Sequence, residues 1–503
     1  MSVIKKLAGQ TIVYGLSTML ARFINYLLLP LHTAVFVPAN YGVVSALYSY
    51  VSLLNVLFTY GMETGFFRFA THEKNKHRVY STAQVSLLVS SLVFGITITL
   101  FANPIATLIH FPNHPQYVIV FAWIMATDAI CAIPFARLRI ENRPVKYGMI
   151  KLLNVGVNVL LNAWFLVIQP WMQTGTLFSK QPEDSILYVF IGNLIASIVT
   201  LLVLLAVVRR VRTNSNIALD TEPEEKKSNR LIFDSAIWKK MIRYSLPLLI
   251  VGLAGMVNET LDRVLLLNYL PYDSEKNLAQ VGIYSASYKL SILMTLFVQA
   301  YRMAAEPFFF NESRNTDAKV MYARTMNYFV IACSFIFIFV MCFLDYFKYF
   351  LGDKNYYEGL QIVPILLLAN LCLGVYYNLT IWYKLTDKTL FGSYISVFGA
   401  IVTLVLNYIL IPKIGYLGSA WTTLACYASM MVISFFSGQY FYRVPYNVLK
   451  FFLYAGTALL IGWIGHTFYH QLFEKSQALF VFVSAGTLAA WSFVVFSIER
   501  KHA

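Results

Sequence analysis

Apolar runs of about 20 residues recur along the whole 503-residue chain and alternate with shorter polar segments. Each run is long enough to cross the hydrocarbon core of a bilayer as a helix, and the two-residue alternation of a membrane β-barrel is absent. The pattern therefore predicts an all-α integral membrane protein. Its fourteen predicted transmembrane spans are residues 9–30, 42–62, 81–102, 117–136, 147–168, 186–208, 245–269, 281–304, 325–344, 360–380, 390–411, 416–438, 446–467 and 477–498.

Basic residues concentrate in alternate segments between these spans. If the N-terminus is inside, the inner segments carry 28 of the 39 Lys and Arg residues, the outer loops carry six, and five lie within spans. Because positive charge stays on the cytoplasmic side, both termini are predicted to be cytoplasmic. Most of the formal net charge of +15 is thus an orientation signal, and no nucleic-acid partner is predicted.

The longest polar stretch separates two groups of six spans, and the two groups resemble each other. Four residues that open the second span of the first group recur 240 residues later: Gly42, Ser45, Ala46 and Tyr48 match Gly282, Ser285, Ala286 and Tyr288. Such duplication predicts two six-helix lobes, parallel-topology repeats around a central cavity, with two further C-terminal helices. The predicted N-terminal lobe, cytoplasmic linker, C-terminal lobe and terminal helix pair with its cytoplasmic tail are residues 1–208, 209–243, 244–440 and 441–503.

Three ionisable side chains, Glu259, Asp262 and Arg263, interrupt the otherwise apolar run 246–270. Each charge near a helix centre costs about 2.5 to 3.5 kcal/mol, whereas each Leu, Ile or Val returns only about 0.3 to 0.6 kcal/mol. The run is stable in a membrane only if these groups pair or face a watery cavity, which makes them candidates for a functional site. Glu259 and Arg263 have the spacing of an intrahelical ion pair, so simple neutralisation between packed helices is the alternative.

The next span carries polar side chains at steps of three and four residues, which places them on one face of a helix. Such a stripe must face protein or water, because lipid offers no hydrogen-bond partners. We predict that it lines a lumen. Its members are Tyr284, Tyr288, Ser291, Thr295, Gln299, Arg302 and Glu306.

A lumen that carries four cationic side chains against Glu259 and Asp262 would suit an anionic headgroup. Arginine offers phosphate two parallel donors and keeps its charge in a low-dielectric setting. The predicted substrate-binding residues of the cavity are Arg22, Asn25, Arg263, Lys289 and Arg302, and the candidate ion-coupling acids are Glu259 and Asp262. The five cysteines lie singly in apolar runs, so neither a metal site nor a redox site is predicted.

Soluble catalytic signatures are missing: the chain has no P-loop, no GxSxG, no HExxH and no Gly-rich dinucleotide loop. We therefore predict no catalytic residues and expect a transporter instead of an enzyme.

Residues 406–424, LNYILIPKIGYLGSAWTTL, and residues 61–69, GMETGFFRF, resemble corresponding segments of Wzx-type polysaccharide flippases. These flippases belong to the multidrug/oligosaccharidyl-lipid/polysaccharide (MOP) exporter superfamily, which also contains the lipid II flippases. The resemblance implies alternating access and transport of undecaprenyl-diphosphate-linked oligosaccharide from the cytoplasmic to the periplasmic leaflet of a bacterial inner membrane. It also implies that Arg22 and Arg263 matter, because arginines on helices 1 and 7 are important in the lipid II flippases.

The same resemblance implies coupling to a Na⁺ gradient, a H⁺ gradient or the membrane potential, and no other cofactor. Membrane lipids are expected partners, and polysaccharide polymerase or export proteins are candidate partners. Two other functions stay open: a multidrug or cation antiporter of the same superfamily, and a membrane-embedded polysaccharide polymerase or ligase. The short outer loops disfavour the polymerase, since such enzymes usually need a large outer loop to hold the acceptor.

Overall fold

The computed structural model describes Gly15 and residues 17–72, 76–214, 232–313 and 317–500. Residues 17–26 are helical, and no β-strand occurs among the described residues. The α-helices that follow are α1 (Leu28–Val35), α2 (Pro38–Thr59), α3 (Met62–His72), α4 (Lys76–Leu100), α5 (Ala102–Leu108), α6 (Pro115–Ile140), α7 (Pro144–Ala163), α8 (Gln169–Thr174), α9 (Ile186–Asn214), α10 (Ser235–Tyr269), α11 (Ser274–Tyr288), α12 (Ile292–Glu312), α13 (Ala318–Cys342), α14 (Leu344–Phe347), α15 (Val363–Leu379), α16 (Ile381–Leu385), α17 (Leu390–Ile414), α18 (Tyr416–Phe441), α19 (Val448–Lys475) and α20 (Gln477–Arg500).

Within the described part of the chain, 12 helical segments are long and apolar enough to cross a membrane. They coincide with predicted spans 2 to 12 and 14, which confirms the all-α membrane fold. Predicted span 1 begins before the described residues and continues as the helix at residues 17–26. Predicted span 13 lies in α19, where the described apolar stretch is Val448–Gly462.

Contacts divide the chain into two compact units, Met1–Leu31 with Ala46–Leu261 and His32–Ser45 with Asp262–Ala503. The predicted domain boundaries stay predictions. Of the predicted linker, residues 215–231 lie outside the described residues, as do residues 1–14 and 501–503 at the two predicted cytoplasmic ends.

In the first unit, α6 is the central helix. It packs against α4, α7 and α9, and it is buried on nearly every side. Its first turn begins at Pro115, whose missing N–H costs nothing at a helix start. The sequence of α6 is accordingly mainly apolar on all sides, with Asp128 as the charged residue of its central part, as expected for a helix enclosed by other helices.

In the second unit, α15 packs between α13 and α18, and α13 packs against α19. The segment that precedes α15 folds back on the residues before α2. The Gly352 amide donates to Thr33 Oγ1 at 2.9 Å, and the Tyr356 hydroxyl donates to the carbonyl of Phe36 at 3.0 Å. These bonds hold residues 32–45 within the second unit.

The starts of α2 and α11 approach each other through a pair of glycines. A Cβ atom on Gly42 would overlap the carbonyl oxygen of Leu278, and one on Gly282 would overlap the carbonyl oxygen of Pro38. The pairs Pro38–Leu278 and Gly42–Gly282 both have the 240-residue offset of the sequence repeat. The crossing is therefore reciprocal, and two equivalent backbones pack as closely as glycine allows.

Predicted span 8 is not one continuous α-helix. A 3₁₀ turn, Lys289–Ser291, separates α11 from α12. Its tighter winding, three residues per turn, interrupts the periodicity that defined the polar stripe. The Ser291 hydroxyl donates to the carbonyl of Tyr288 at 2.7 Å within this turn.

Candidate functional site

A buried charged network forms where α10 meets α11 in the second unit. Asp262 Oδ1 accepts a hydrogen bond from Arg263 Nη1 at 2.8 Å, and Asp262 Oδ2 accepts one from the Tyr284 hydroxyl at 2.5 Å. The Asp262 side chain is 6% exposed, and that of Arg263 is 13% exposed. The carboxylate thus has a partner on each oxygen, as a charge in a membrane-spanning segment requires.

Aromatic rings complete the surroundings of this pair. The Arg263 guanidinium lies 4.4 Å from the centre of the Tyr288 ring and 5.6 Å from that of Tyr284. On the same unit, Lys289 Nζ lies 5.5 Å from the centre of the Tyr41 ring. Rings at these distances stabilise cations, so the tyrosines of the stripe hold positive charge inside the helix bundle.

On the C-terminal side of the 3₁₀ turn, the polar stripe continues on α12 and contacts α15 and α16. The Thr295 hydroxyl donates to Asn370 Oδ1 at 3.3 Å, and the Arg302 guanidinium lies 4.4 Å from the centre of the Tyr377 ring. Beyond α15, Glu306 forms an ion pair with Lys384 at 2.6 Å. These stripe residues therefore make protein contacts, which is one of the two environments that the periodicity required.

Not all of the predicted site residues belong to the second unit. Arg22, Asn25 and Glu259 belong to the first unit, and all three are exposed. The predicted roles of all the site residues, the lumen-lining role of Gln299 and the Glu259–Arg263 pair stay predictions.

Several polar contacts were not predicted from the sequence, because the two residues of each contact lie on different helices. In the first unit, Ser197 Oγ donates to Asp128 Oδ1 at 2.7 Å, and Asn193 Nδ2 donates to the Tyr48 hydroxyl at 3.0 Å. In the second unit, the Tyr301 hydroxyl donates to Asn378 Oδ1 at 2.5 Å. Amide side chains near the middle of a span were the signal that the sequence offered. Which partner each amide contacts depends on how its helix is rotated about its own axis.

Among the residues that the structure describes, no three His, Cys, Asp or Glu side chains form a group that could hold a metal ion. The described geometry instead provides fixed cations beside aromatic rings and carboxylates. Such a surface can bind an anion, and arginine does so with directed hydrogen bonds.

Residues 7–313 match the sequence profile of a family described as "Polysaccharide biosynthesis protein". No curated protein matches the chain. This family match covers well over half of the sequence and includes both Arg22 and Arg263.

Solved structures of similar fold come from two kinds of transporter. A lipid II flippase, MurJ, in an inward closed conformation shares 12% identity with a TM-score of 0.68, covering 97% of this chain and 99% of its own. An inward-facing multidrug resistance MATE family transporter of the MOP superfamily shares 13% identity with a TM-score of 0.61, covering 88% of this chain and 94% of its own. At such identities the likeness establishes the fold alone.

Proposed function

Because the chain belongs to the polysaccharide biosynthesis protein family within the MOP superfamily, we propose that it flips oligosaccharide linked to undecaprenyl diphosphate. In this proposal the substrate moves from the cytoplasmic to the periplasmic leaflet of a bacterial inner membrane by alternating access. The chain is a multi-pass membrane protein of a transporter fold.

The observation that supports this substrate class is the Asp262–Arg263–Tyr284 network. A planar guanidinium that is held by a carboxylate and lies 4.4 Å from the centre of the Tyr288 ring is oriented before substrate arrives. Diphosphate oxygens then meet a donor fork of matching geometry, and little side-chain entropy is lost on binding. Arg22, exposed in the first unit, stays a predicted diphosphate ligand.

Deleting the gene distinguishes the proposal from a multidrug antiporter. We expect undecaprenyl-linked oligosaccharide to accumulate and surface polysaccharide to disappear, with both restored by the wild-type chain. Unchanged glycan together with altered resistance to cationic drugs would assign the antiporter function instead. Accumulation of exported but unpolymerised repeat units would assign the polymerase function.

The proposed orientation places both termini in the cytoplasm and rests on the charge bias. All five native cysteines are buried, so an introduced cysteine reports its own accessibility. We expect Lys180→Cys to react with a membrane-impermeant maleimide in intact cells, and Lys146→Cys to react only after permeabilisation. Both positions are exposed. The opposite labelling pattern would reverse the orientation.

The proposal includes coupling to a Na⁺ gradient, a H⁺ gradient or the membrane potential. The two candidate acids for this coupling differ in their surroundings. Both oxygens of Asp262 accept hydrogen bonds within the protein, whereas Glu259 is exposed. Glu259 is therefore the better candidate for coupling, and Asp262 the better candidate for positioning Arg263. Polymerase or export proteins stay predicted partners that co-purification would test.

A further inference from the structure

A large apolar groove lies within the first unit, between α2, α4 and the first half of α10. It has a volume of about 940 Å³. Leu57 of α2, Val89 and Phe94 of α4 and Leu246 of α10 line it, and each is at least 40% exposed. The groove is therefore open along its length on the surface of the first unit.

Measured along the helix axes, the groove is about as long as one leaflet of a bilayer is thick. Its lining residues on α10 run from Trp238 to Leu249, a rise of about 16 Å at 1.5 Å per residue. On α4 they run from Val85 to Ile98, about 20 Å by the same measure. Half of a hydrocarbon core is about 15 Å thick.

One end of the groove is polar. The Trp238 indole N–H donates to Ser86 Oγ at 2.8 Å, and the Tyr60 hydroxyl shares a hydrogen bond with the same oxygen at 2.7 Å. Just before α10, the Asp234 amide donates to Thr82 Oγ1 at 3.1 Å. A Trp and a Tyr at this level are typical of the boundary between acyl chains and headgroups.

Basic side chains border that polar end. Lys239 and Arg243 are exposed, and their spacing places them in one helical row with the groove residue Leu246. The neighbouring acid, Asp234, accepts hydrogen bonds from the amides of Ala236 and Ile237 at 2.9 and 3.1 Å, so it caps the start of α10. The start of α10, beside the groove, accordingly carries two exposed basic side chains and one carboxylate that is engaged as a helix cap.

We propose that this groove binds one anionic phospholipid from the leaflet on its own side, which the charge bias predicts to be cytoplasmic. An acyl chain fills the apolar walls, and the phosphate contacts Lys239 and Arg243. Basic positions beside an interhelical groove at the cytoplasmic face recognise such headgroups. The one-leaflet depth fits an acyl chain, whereas a long polyprenyl chain would extend beyond it.

Native mass spectrometry of the purified full-length protein in detergent tests this site. The probes are phosphatidylglycerol and phosphatidylcholine with identical acyl chains, and a polyprenyl phosphate. We expect one phosphatidylglycerol to be retained in preference to phosphatidylcholine. The double variant Lys239→Gln with Arg243→Gln should weaken that binding by about 25-fold, since each basic residue contributes about fivefold.

A variant that fills the groove separates its shape from its charge. Val89→Trp should abolish phosphatidylglycerol binding while the basic rim stays intact, and Val145→Trp, at an exposed position outside the groove, should not. Lys146→Gln with Arg443→Gln, which removes two exposed basic residues elsewhere, is the charge-matched control. Equal retention of both phospholipids, wild-type binding by Val89→Trp, or tighter retention of polyprenyl phosphate would each overturn the proposal.

Discussion

Replacing Gly42 or Gly282 by alanine is expected to lower the melting temperature of the purified protein, whereas Gly156→Ala is expected to leave it unchanged or raise it. At the first two positions, the new Cβ atom overlaps a backbone carbonyl of the neighbouring helix, which no side-chain rotation relieves. Overpacking of this kind typically costs about 1 to 3 kcal/mol. Gly156 has nothing within 4 Å of a Cβ position, and alanine in a helix interior gains about 1 kcal/mol over glycine.

The reciprocal packing of Gly42 and Gly282 also predicts how the two substitutions combine. A single outward shift of α2 from α11 relieves both overlaps, because each glycine packs against the turn that precedes the other. The double variant Gly42→Ala with Gly282→Ala should therefore lose less stability than the sum of the two single variants, as coupled sites do. Additive losses, or melting temperatures equal to that of Gly156→Ala, would show that the helices do not cross as described.

Changing Arg263 to alanine is expected to reduce both the amount of protein in the membrane and flipping of the lipid-linked oligosaccharide. The buried Asp262 carboxylate would lose the guanidinium while keeping its hydrogen bonds from the Tyr284 hydroxyl and the backbone amide of residue 263, and removing one charged partner of a buried pair costs about 3 to 5 kcal/mol. The double variant Asp262→Asn with Arg263→Gln removes both charges, so its abundance should recover.

Transport by the recovered double variant decides the role of Arg263. Loss of transport at normal abundance would support contact with the diphosphate, whereas normal transport would limit Arg263 to neutralising Asp262. Arg263→Lys keeps the charge but loses the donor fork, so it should also be defective if the fork binds phosphate. The measurements are membrane abundance by immunoblot and accumulation of undecaprenyl-linked oligosaccharide in cells lacking the native gene.

Glu259→Gln is the companion variant in the same assay. Because Glu259 is exposed, its neutralisation should leave abundance unchanged and should diminish the dependence of transport on Na⁺, pH or membrane potential. An unchanged ion dependence would remove Glu259 from the coupling proposal, and a fall in abundance would make it a structural residue.

The sequence alone was enough to locate the 12 helices of spanning length that the described residues contain. A bilayer leaves no water for backbone N–H and C=O groups, so an apolar run of spanning length must become a helix wherever it packs. The order of apolar and polar residues along the chain also located the charged residues of α10 and the polar positions of α11 and α12. It also detected the repeat, because Gly42 and Gly282 hold equivalent positions in two similar segments.

Tertiary structure decided which of these residues meet. The spacing of Glu259 and Arg263 suggested one ion pair, and the structure adds Asp262, whose carboxylate accepts hydrogen bonds from both Arg263 and Tyr284. The repeat indicated equivalent glycines without indicating that they face each other. The 3₁₀ turn at Lys289–Ser291 likewise interrupts a segment that the periodicity predicted to be one continuous α-helix. Hydropathy measures the cost of placing a residue at a depth in the bilayer, whereas pairing depends on the rotation and crossing of helices far apart in the chain.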